Sequence, residues 1–291
     1  MKYFGKICLW AFSTVFGTML GGMLSSALHL EQPKLPVPLN PQLLGILCLV
    51  GGFMLSFVLT MLLPQLSGKR CTRFIVIAWF VFAWMGINNA IEAHIFTSMG
   101  GGPTVITTML LQSIFVSGTV ALLFGPREWG ESFSGAVRRL IDNRTAAQQT
   151  VRLLLMVLAF PVVYFFFGMP VGLMVGRVYQ QQSFNLQLPT LNVVIGVQFI
   201  RSLIALLAVL PILAIWTGSR QRFAWMFGLN LFVVAGLYGL IQAYWMPWAL
   251  RSVHLVELFL DSMVYAWLAA ALLLPRAPTR VAEIGAPNNT I

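Results

Sequence analysis

The chain has 291 residues, of which 58% are apolar and only 9% are charged, and its mean hydropathy is +0.84. This composition excludes a disordered chain, a collagen-like rod, a secreted disulfide scaffold and a cytosolic enzyme, and it is typical of an integral membrane protein. The formal net charge of +10 would suggest a nucleic-acid partner in a soluble protein, but basic residues beside a membrane have a different role.

Eight apolar stretches are long enough to cross the roughly 30 Å hydrocarbon core of a bilayer as helices. In chain order, the sequence predicts membrane spans near residues 7–29, 42–64, 74–97, 104–125, 152–176, 191–216, 223–247 and 253–275. The segments between them are rich in Pro, Gly, Gln or basic residues, as loops usually are. We therefore expect an all-α, polytopic integral membrane protein. Because the number of spans is even, both termini should lie on one side of the membrane.

The Lys and Arg residues divide unequally between the two sides of this predicted membrane. Arg201 lies inside a span, and Lys34, Arg177 and Arg251 lie opposite the termini. Fourteen basic residues lie on the side of the termini: Lys2, Lys6, Lys69, Arg70, Arg73, Arg127, Arg138, Arg139, Arg144, Arg152, Arg220, Arg222, Arg276 and Arg280. This distribution predicts a multi-pass protein of the plasma (inner) membrane with both termini in the cytoplasm. The positive charge would then contact anionic lipid headgroups, and no nucleic-acid partner is expected.

The two halves of the chain correspond at a shift of about 149 residues. GKR at 68–70 aligns with GSR at 218–220, and GINNAIEA at 86–93 aligns with GLYGLIQA at 236–243. A nearly constant offset across polar positions is typical of an internal duplication. Four spans in each half predict two parallel four-helix repeats, related by a pseudo-twofold axis along the membrane normal. Because the first span pairs with the fifth, we expect it to be retained and not cleaved as a signal peptide.

The predicted organisation has four segments. They are a first four-helix repeat, a cytoplasmic linker, a second four-helix repeat and a cytoplasmic tail, at residues 1–125, 126–151, 152–276 and 277–291. Within the linker, apolar residues from Trp129 to Ile141 recur at helical spacing beside several Arg residues. This pattern predicts a short helix that lies at the membrane surface.

Two spans carry small residues at every fourth position. Gly17 and Gly21 form such a pair in the first span, and Gly168, Gly172 and Gly176 form a longer ladder in the fifth. Small residues at this spacing allow two membrane helices to approach closely. The sequence therefore predicts close helix packing at both places.

Ionisable side chains inside a membrane span cost about 2.5–3.5 kcal/mol each on insertion scales, so they are candidates for function. Four such residues lie in the outer halves of the third, sixth and eighth predicted spans. We expect them to converge with neighbouring polar residues in one cavity that opens away from the cytoplasm. The predicted substrate- or ion-binding residues are Glu92, Arg201, His254, Glu257, Asp261, Asn88 and Gln242.

The arrangement of these charges predicts how they pair. Arg201 and Asp261 lie at similar depth, which favours a salt bridge between them. His254, Glu257, Asp261 and Tyr265 are spaced three, four and four residues apart, so they share one face of the eighth span. Three carboxyl groups against one guanidinium leave a surplus of negative charge. Either one carboxyl is protonated at neutral pH or a cation binds there.

The two predicted repeats differ in charge at corresponding positions. At the repeat offset, Glu92 aligns with Gln242 and Asp261 aligns with Gln112. Two acids of the predicted cavity therefore each correspond to an amide in the other half. We expect one charged site within a symmetric frame.

The sequence predicts no cofactor and no resident metal. His254 with Glu257 matches only one reversed copy of the Glu-x-x-His pattern of di-iron bundles. Cys8, Cys48 and Cys71 show no CxxC spacing and are expected to be packing residues.

Three functions are compatible with these features. The leading hypothesis is a small-solute or ion permease, in which Glu257 and Asp261 bind a proton or cationic group beside Arg201 and Glu92. The second is an accessory or assembly subunit whose polar cluster docks another membrane protein. The third is a lipid-modifying membrane enzyme with His254 as its base, for which the sequence offers no nucleophile. The expected partners are membrane lipids, a small cationic solute or proton and, in the second hypothesis, a membrane protein.

Overall fold

The computed structural model describes residues 2–123, 132–142 and 144–275. Within these residues, eight helices are long and apolar enough to cross a membrane, which confirms an all-helical, multi-pass membrane protein. The first to eighth spans are Phe4–Ala27, Pro41–Gln65, Arg70–Phe96, Gly102–Leu123, Ala146–Gln180, Leu191–Ile215, Arg220–Gln242 and Trp248–Leu273. The predicted number of spans is therefore correct, and most boundaries differ from the prediction by only a few residues.

Local sequence signals determine where several of these helices begin. The Asn40 side chain caps the second span just before Pro41, which cannot donate a backbone hydrogen bond and therefore fits the first helical position. Thr145 and Gln148 form a reciprocal capping box, so the fifth span starts six residues before its predicted start at 152. Ser219 caps the seventh span in a similar way.

The third and seventh spans are each interrupted by a π-helical segment. These segments are Phe82–Asn88 and Val233–Leu237, after which the helices continue as Asn89–Phe96 and Tyr238–Gln242. A π-helical turn accommodates extra residues and frequently occurs at functional sites. The seventh span ends five residues before its predicted limit because a turn precedes Pro247, which opens the eighth span.

The loops lie on two faces of the bundle. The near face holds the beginning of the first span and the segments 63–69, 132–142, 144–145, 216–219 and 274–275. The far face holds the segments 28–40, 97–101, 181–190 and 243–247.

The two halves contact each other reciprocally on the near face. The backbone N–H of Ser67 donates to the carbonyl of Ile215 at 2.8 Å, and that of Thr217 donates to the carbonyl of Gln65 at 2.9 Å. Positions 65 and 67 lie 150 residues before positions 215 and 217. Such an exchange is what a pseudo-twofold axis along the membrane normal requires. The two-repeat arrangement itself stays a prediction.

Arginine side chains bind the C-terminal carbonyl groups of the eighth span on the near face. Arg152 donates to the carbonyl of Leu272 at 2.6 Å, and Arg144 donates to that of Leu273 at 2.9 Å. Arg220 donates to the carbonyl of Pro275 at 3.1 Å. These groups satisfy carbonyls that have no partner within the helix and place positive charge at the negative end of its dipole.

The linker contains a short helix, Phe133–Asp142, as its apolar spacing predicts. Ala136 and Leu140 are buried, and Arg139 donates to the carbonyl of Ala214 at 3.0 Å. The helix is thereby attached to the near-face end of the sixth span. Several predicted near-face residues lie outside the described residues: Arg127, Trp129, Arg276 and Arg280.

The first and fourth spans pack closely at glycine positions. A Cβ atom on Gly17 would lie 2.7 Å from the Cα atom of Gln112, and one on Gly21 would overlap the backbone at Thr108. Only glycine permits this approach, because any side chain would push the two helices apart. The prediction of close packing is therefore confirmed in the first half.

The corresponding glycines of the fifth span do not make such contacts. A Cβ atom on Gly172 or Gly176 would meet no atom within 4 Å, and one on Gly168 would meet only the Glu257 carboxylate. The prediction of close packing is therefore wrong for this ladder. Between the fifth and eighth spans, the second half leaves open space that the first half closes.

Candidate binding cavity

This open space is a cavity of about 560 Å³ in the far-face half of the bundle. It is bordered by the fifth and eighth spans, the far-face parts of the third and seventh spans, and the beginning of the sixth. Its volume lies within the range of about 300–1,000 Å³ that is typical of sites for organic ligands. Five of the seven predicted binding residues line it: Glu92, Arg201, His254, Glu257 and Asp261.

Arg201 forms a salt bridge with Glu92, not with Asp261 as its depth predicted. An Arg201 guanidinium nitrogen lies 2.8 Å from a Glu92 carboxylate oxygen, and 6% of the Arg201 side chain is exposed against 34% of Glu92. Gln198 accepts a second hydrogen bond from Arg201 at 3.3 Å. The predicted pair is wrong because depth does not determine which helices are neighbours, and the third span lies against the sixth.

Two aromatic rings also surround this guanidinium. The central carbon of the Arg201 guanidinium lies 5.6 Å from the ring centre of Phe160 and 5.8 Å from that of Tyr164. Both rings belong to the fifth span, so this span contributes to holding a charge that the sixth span carries. Cation–π attraction of this kind is stronger where water is excluded.

A chain of hydrogen bonds joins the fifth and eighth spans towards the far face. The His254 Nδ1 atom lies 2.8 Å from a Glu257 carboxylate oxygen, and its Nε2 atom lies 3.0 Å from the Tyr179 hydroxyl. In the tautomer that donates from Nδ1 to the carboxylate, Nε2 accepts from Tyr179. A side chain at Gly168 would lie 3.0 Å from the other Glu257 oxygen, so the glycine leaves room for this carboxylate.

Four buried polar atoms of cavity-lining residues have no hydrogen-bond partner among the described residues. They are an Asp261 carboxylate oxygen, the Tyr265 hydroxyl, the Trp84 indole nitrogen and the Nε atom of Arg201. Asp261 also lies close enough to Glu257, Glu92 and Arg201 to interact with each of them electrostatically. Buried polar atoms are normally paired, and leaving one unpaired costs about 1–3 kcal/mol. These atoms are therefore positioned to contact a ligand or water.

Asn88 and Gln242 do not line the cavity. Asn88 is fully buried at the end of a π-helical segment. Gln242 belongs to a separate neutral cluster in which the Tyr238 side chain contacts Gln242, Thr18 and Gln112. Thr18 donates to the Gln112 side chain at 3.3 Å.

At the repeat offset, this neutral cluster occupies positions that correspond to those of the charged cavity. Gln242 lies 150 residues after Glu92, and Gly51 lies 150 residues before Arg201. A Cβ atom on Gly51 would lie 2.8 Å from the Tyr238 ring, which fills the space beside it. The predicted asymmetry therefore extends from charge to volume, since the charged site is open whereas the corresponding neutral site is filled.

Sequence reasoning missed the aromatic residues that shape the cavity. Trp84, Phe160, Tyr164 and Tyr179 all line it, and three of them belong to the fifth span. Tyr164 and Tyr179 carry hydroxyl groups within a long apolar helix, which is the signal that could have identified them.

No model of a known protein family, no characterised protein and no solved structure significantly matches this chain. The cavity is therefore interpreted from its own geometry. Within the described residues, no group of three or more His, Cys, Asp or Glu side chains is arranged to hold a metal ion. The residues on the wall favour a ligand that is bound by ion pairing, hydrogen bonds and apolar contact.

Proposed function

We propose that the protein is a permease for a small cationic solute or ion, and that the cavity between the fifth and eighth spans is its binding site. The observation that carries this proposal is the surplus of carboxyl groups in a cavity at membrane depth. Intramembrane ionisable groups are costly and typically line the pathways of ions or solutes.

The charges of the cavity support a cation as the ligand. Glu92 and Arg201 neutralise each other, and a protonated His254 would neutralise Glu257. Asp261 then remains without an opposite charge, and one of its oxygens has no hydrogen-bond partner among the described residues. A bound cation or proton would compensate this charge where water is excluded.

The orientation follows from the basic residues. Most of them lie on the near face, so we place that face in the cytoplasm and the protein in the inner membrane. The cavity then faces the outside. Two parallel repeats, one tightly packed and one open, would provide a rigid half and a half that can rearrange around the bound ligand.

The proposal predicts cation-dependent proton flux in vesicles that contain the purified protein. A pH gradient across these vesicles should dissipate faster than in empty vesicles when external inorganic or organic cations are supplied. The substitutions Asp261→Asn and Glu257→Gln should each lower this flux about tenfold or more, because each substitution removes a carboxyl group that can bind a proton or cation. An internal pH-sensitive dye measures the rate.

Glu31→Gln is the matched control, since Glu31 is an exposed acid on the far face outside the cavity. This variant should retain the wild-type flux. The proposal is contradicted if wild-type vesicles match empty vesicles with every cation of the panel. It is also contradicted if the two cavity variants transport as fast as Glu31→Gln.

A further inference from the structure

We propose that the ligand of this cavity is a lipophilic organic cation, a molecule with one positive group and an apolar, aromatic-sized body. This inference rests on the proposed function and names its substrate class. Size, charge and wall composition each support it.

The volume of the cavity is too large for an inorganic ion alone. About 560 Å³ corresponds to an organic molecule, and only a small part of the wall is charged. Most of the remaining wall is apolar, including Val163, Val171, Val175 and Leu258. A hydrated metal ion would leave this apolar surface in contact with water, whereas an apolar body would cover it.

The fixed charges select a cation. Gln198 and Glu92 bind the two terminal nitrogens of the Arg201 guanidinium, and Glu92 compensates its charge. Its Nε atom has no partner among the described residues, so a single N–H group remains for an anionic ligand. Asp261 is different, because one of its carboxylate oxygens is buried without a hydrogen-bond partner among the described residues. An ammonium or phosphonium group beside Asp261 would compensate that charge.

Aromatic rings lie where the positive group would bind. The ring centres of Trp84 and Phe160 are 5.9 Å apart, those of Trp84 and Tyr265 are 6.3 Å apart, and those of Phe160 and Tyr265 are 5.7 Å apart. Tyr265 lies one helical turn from Asp261. A carboxylate beside a triangle of rings is the combination that recognises a large, weakly hydrated cation.

The fifth span provides the space for an apolar body. Gly172 and Gly176 line the cavity, and a Cβ atom on either would meet no atom within 4 Å. Met169 also lines the cavity while 67% of it is exposed on the bundle surface. The fifth span thus forms an apolar side of the cavity, and a lipophilic ligand can be held against it.

Equilibrium dialysis of the purified chain in mild detergent tests this inference. Radiolabelled tetraphenylphosphonium is the probe, tetraphenylborate is its counterpart of the same shape and opposite charge, and tetramethylammonium is a small cation. Protein-free micelles give the background. We expect saturable binding of tetraphenylphosphonium, no saturable binding of tetraphenylborate, and competition by tetramethylammonium that is at least about tenfold weaker.

Two variants should separate charge from volume. Asp261→Asn should weaken tetraphenylphosphonium binding about tenfold or more by removing the ion pair, and Asp261→Glu should restore most of it. Gly172→Leu should weaken binding to a similar degree by filling the cavity. Gly196→Leu is its control, because Gly196 is exposed on the sixth span and a Cβ atom there also meets no atom within 4 Å.

The inference is overturned if tetraphenylphosphonium binds no more than to micelles, if tetraphenylborate binds equally well, or if Gly172→Leu binds like Gly196→Leu. Dialysis requires no transport, so this result is independent of the proposed function. A chain that binds the probe but moves neither protons nor cations keeps the inference and defeats the permease. If the proton flux depends on Asp261 but the chain does not bind the probe, the permease proposal stands and this inference is wrong. If Asp261→Asn does not fold, the wild-type probe series and the two glycine variants still decide.

Discussion

The guanidinium of Arg201 depends on Glu92 for its charge compensation inside the membrane. We expect Glu92→Gln to destabilise the protein by about 2 kcal/mol, less than a fully buried pair would lose, because Glu92 is partly exposed and water can replace some of its interaction. The double variant Glu92→Gln/Arg201→Gln should recover much of this loss, since it leaves no isolated charge. Thermal unfolding of the wild type, Glu92→Gln, Arg201→Gln and the double variant in detergent measures both effects. The pairing is contradicted if the double variant loses as much stability as Glu92→Gln, or as much as the two single variants together.

The side chains of the cavity differ in how far sequence could predict them. Charged residues inside apolar segments could be located from sequence alone, because their cost in a bilayer depends on depth and not on neighbours. The partner of Arg201 could not, since several acids lie at comparable depth and helix adjacency selects Glu92. Gln242 shows the same limit. It aligns with Glu92, yet the seventh span directs it to the neutral cluster around Tyr238.

At the scale of helices, the same small-residue spacing has opposite consequences in two spans. Gly17→Leu should destabilise the protein by about 2 kcal/mol or more, because its side chain would enter the backbone of the fourth span. Gly172→Leu should change the free energy of unfolding by less than about 0.5 kcal/mol, because open space surrounds that position. Unfolding in detergent, followed by intrinsic fluorescence, compares the two. Similar losses would mean that the fifth and eighth spans close as tightly as the first and fourth.

The helices themselves could be predicted from the sequence, whereas the packing between them could not. Span number and length follow from apolar runs, because the bilayer thickness imposes a minimum length. A glycine ladder shows only that another helix is able to approach, and whether one does depends on the residues opposite. In the second half the acids Glu257 and Asp261 lie on the facing helix, and close packing against them would bury their charges without compensation. The π-helical segments Phe82–Asn88 and Val233–Leu237 also lack a local sequence signal.

For the whole molecule, the two halves combine similar frames with different interiors. Reciprocal hydrogen bonds join Ser67 to Ile215 and Thr217 to Gln65, so the near face is held in the same way from both sides. The difference lies towards the far face, where the space beside Gly51 of the second span is filled by Tyr238, whereas the space beside Arg201 of the sixth span is open. If the frame is duplicated as the sequence predicts, the filled site can stay packed while the open site changes shape around a ligand.

The proposed orientation places the basic near face in the cytoplasm and the cavity towards the outside, and labelling can test it. In a variant whose native cysteines are replaced, Gln181→Cys lies exposed on the far face and Ser134→Cys lies exposed on the near face. Because the positive-inside rule keeps the Arg-rich face in the cytoplasm, a membrane-impermeant maleimide added to intact cells should label Gln181→Cys and spare Ser134→Cys. Permeabilised cells should label both. The reverse pattern would turn the cavity towards the cytoplasm, and its acids would then meet cytoplasmic instead of external cations.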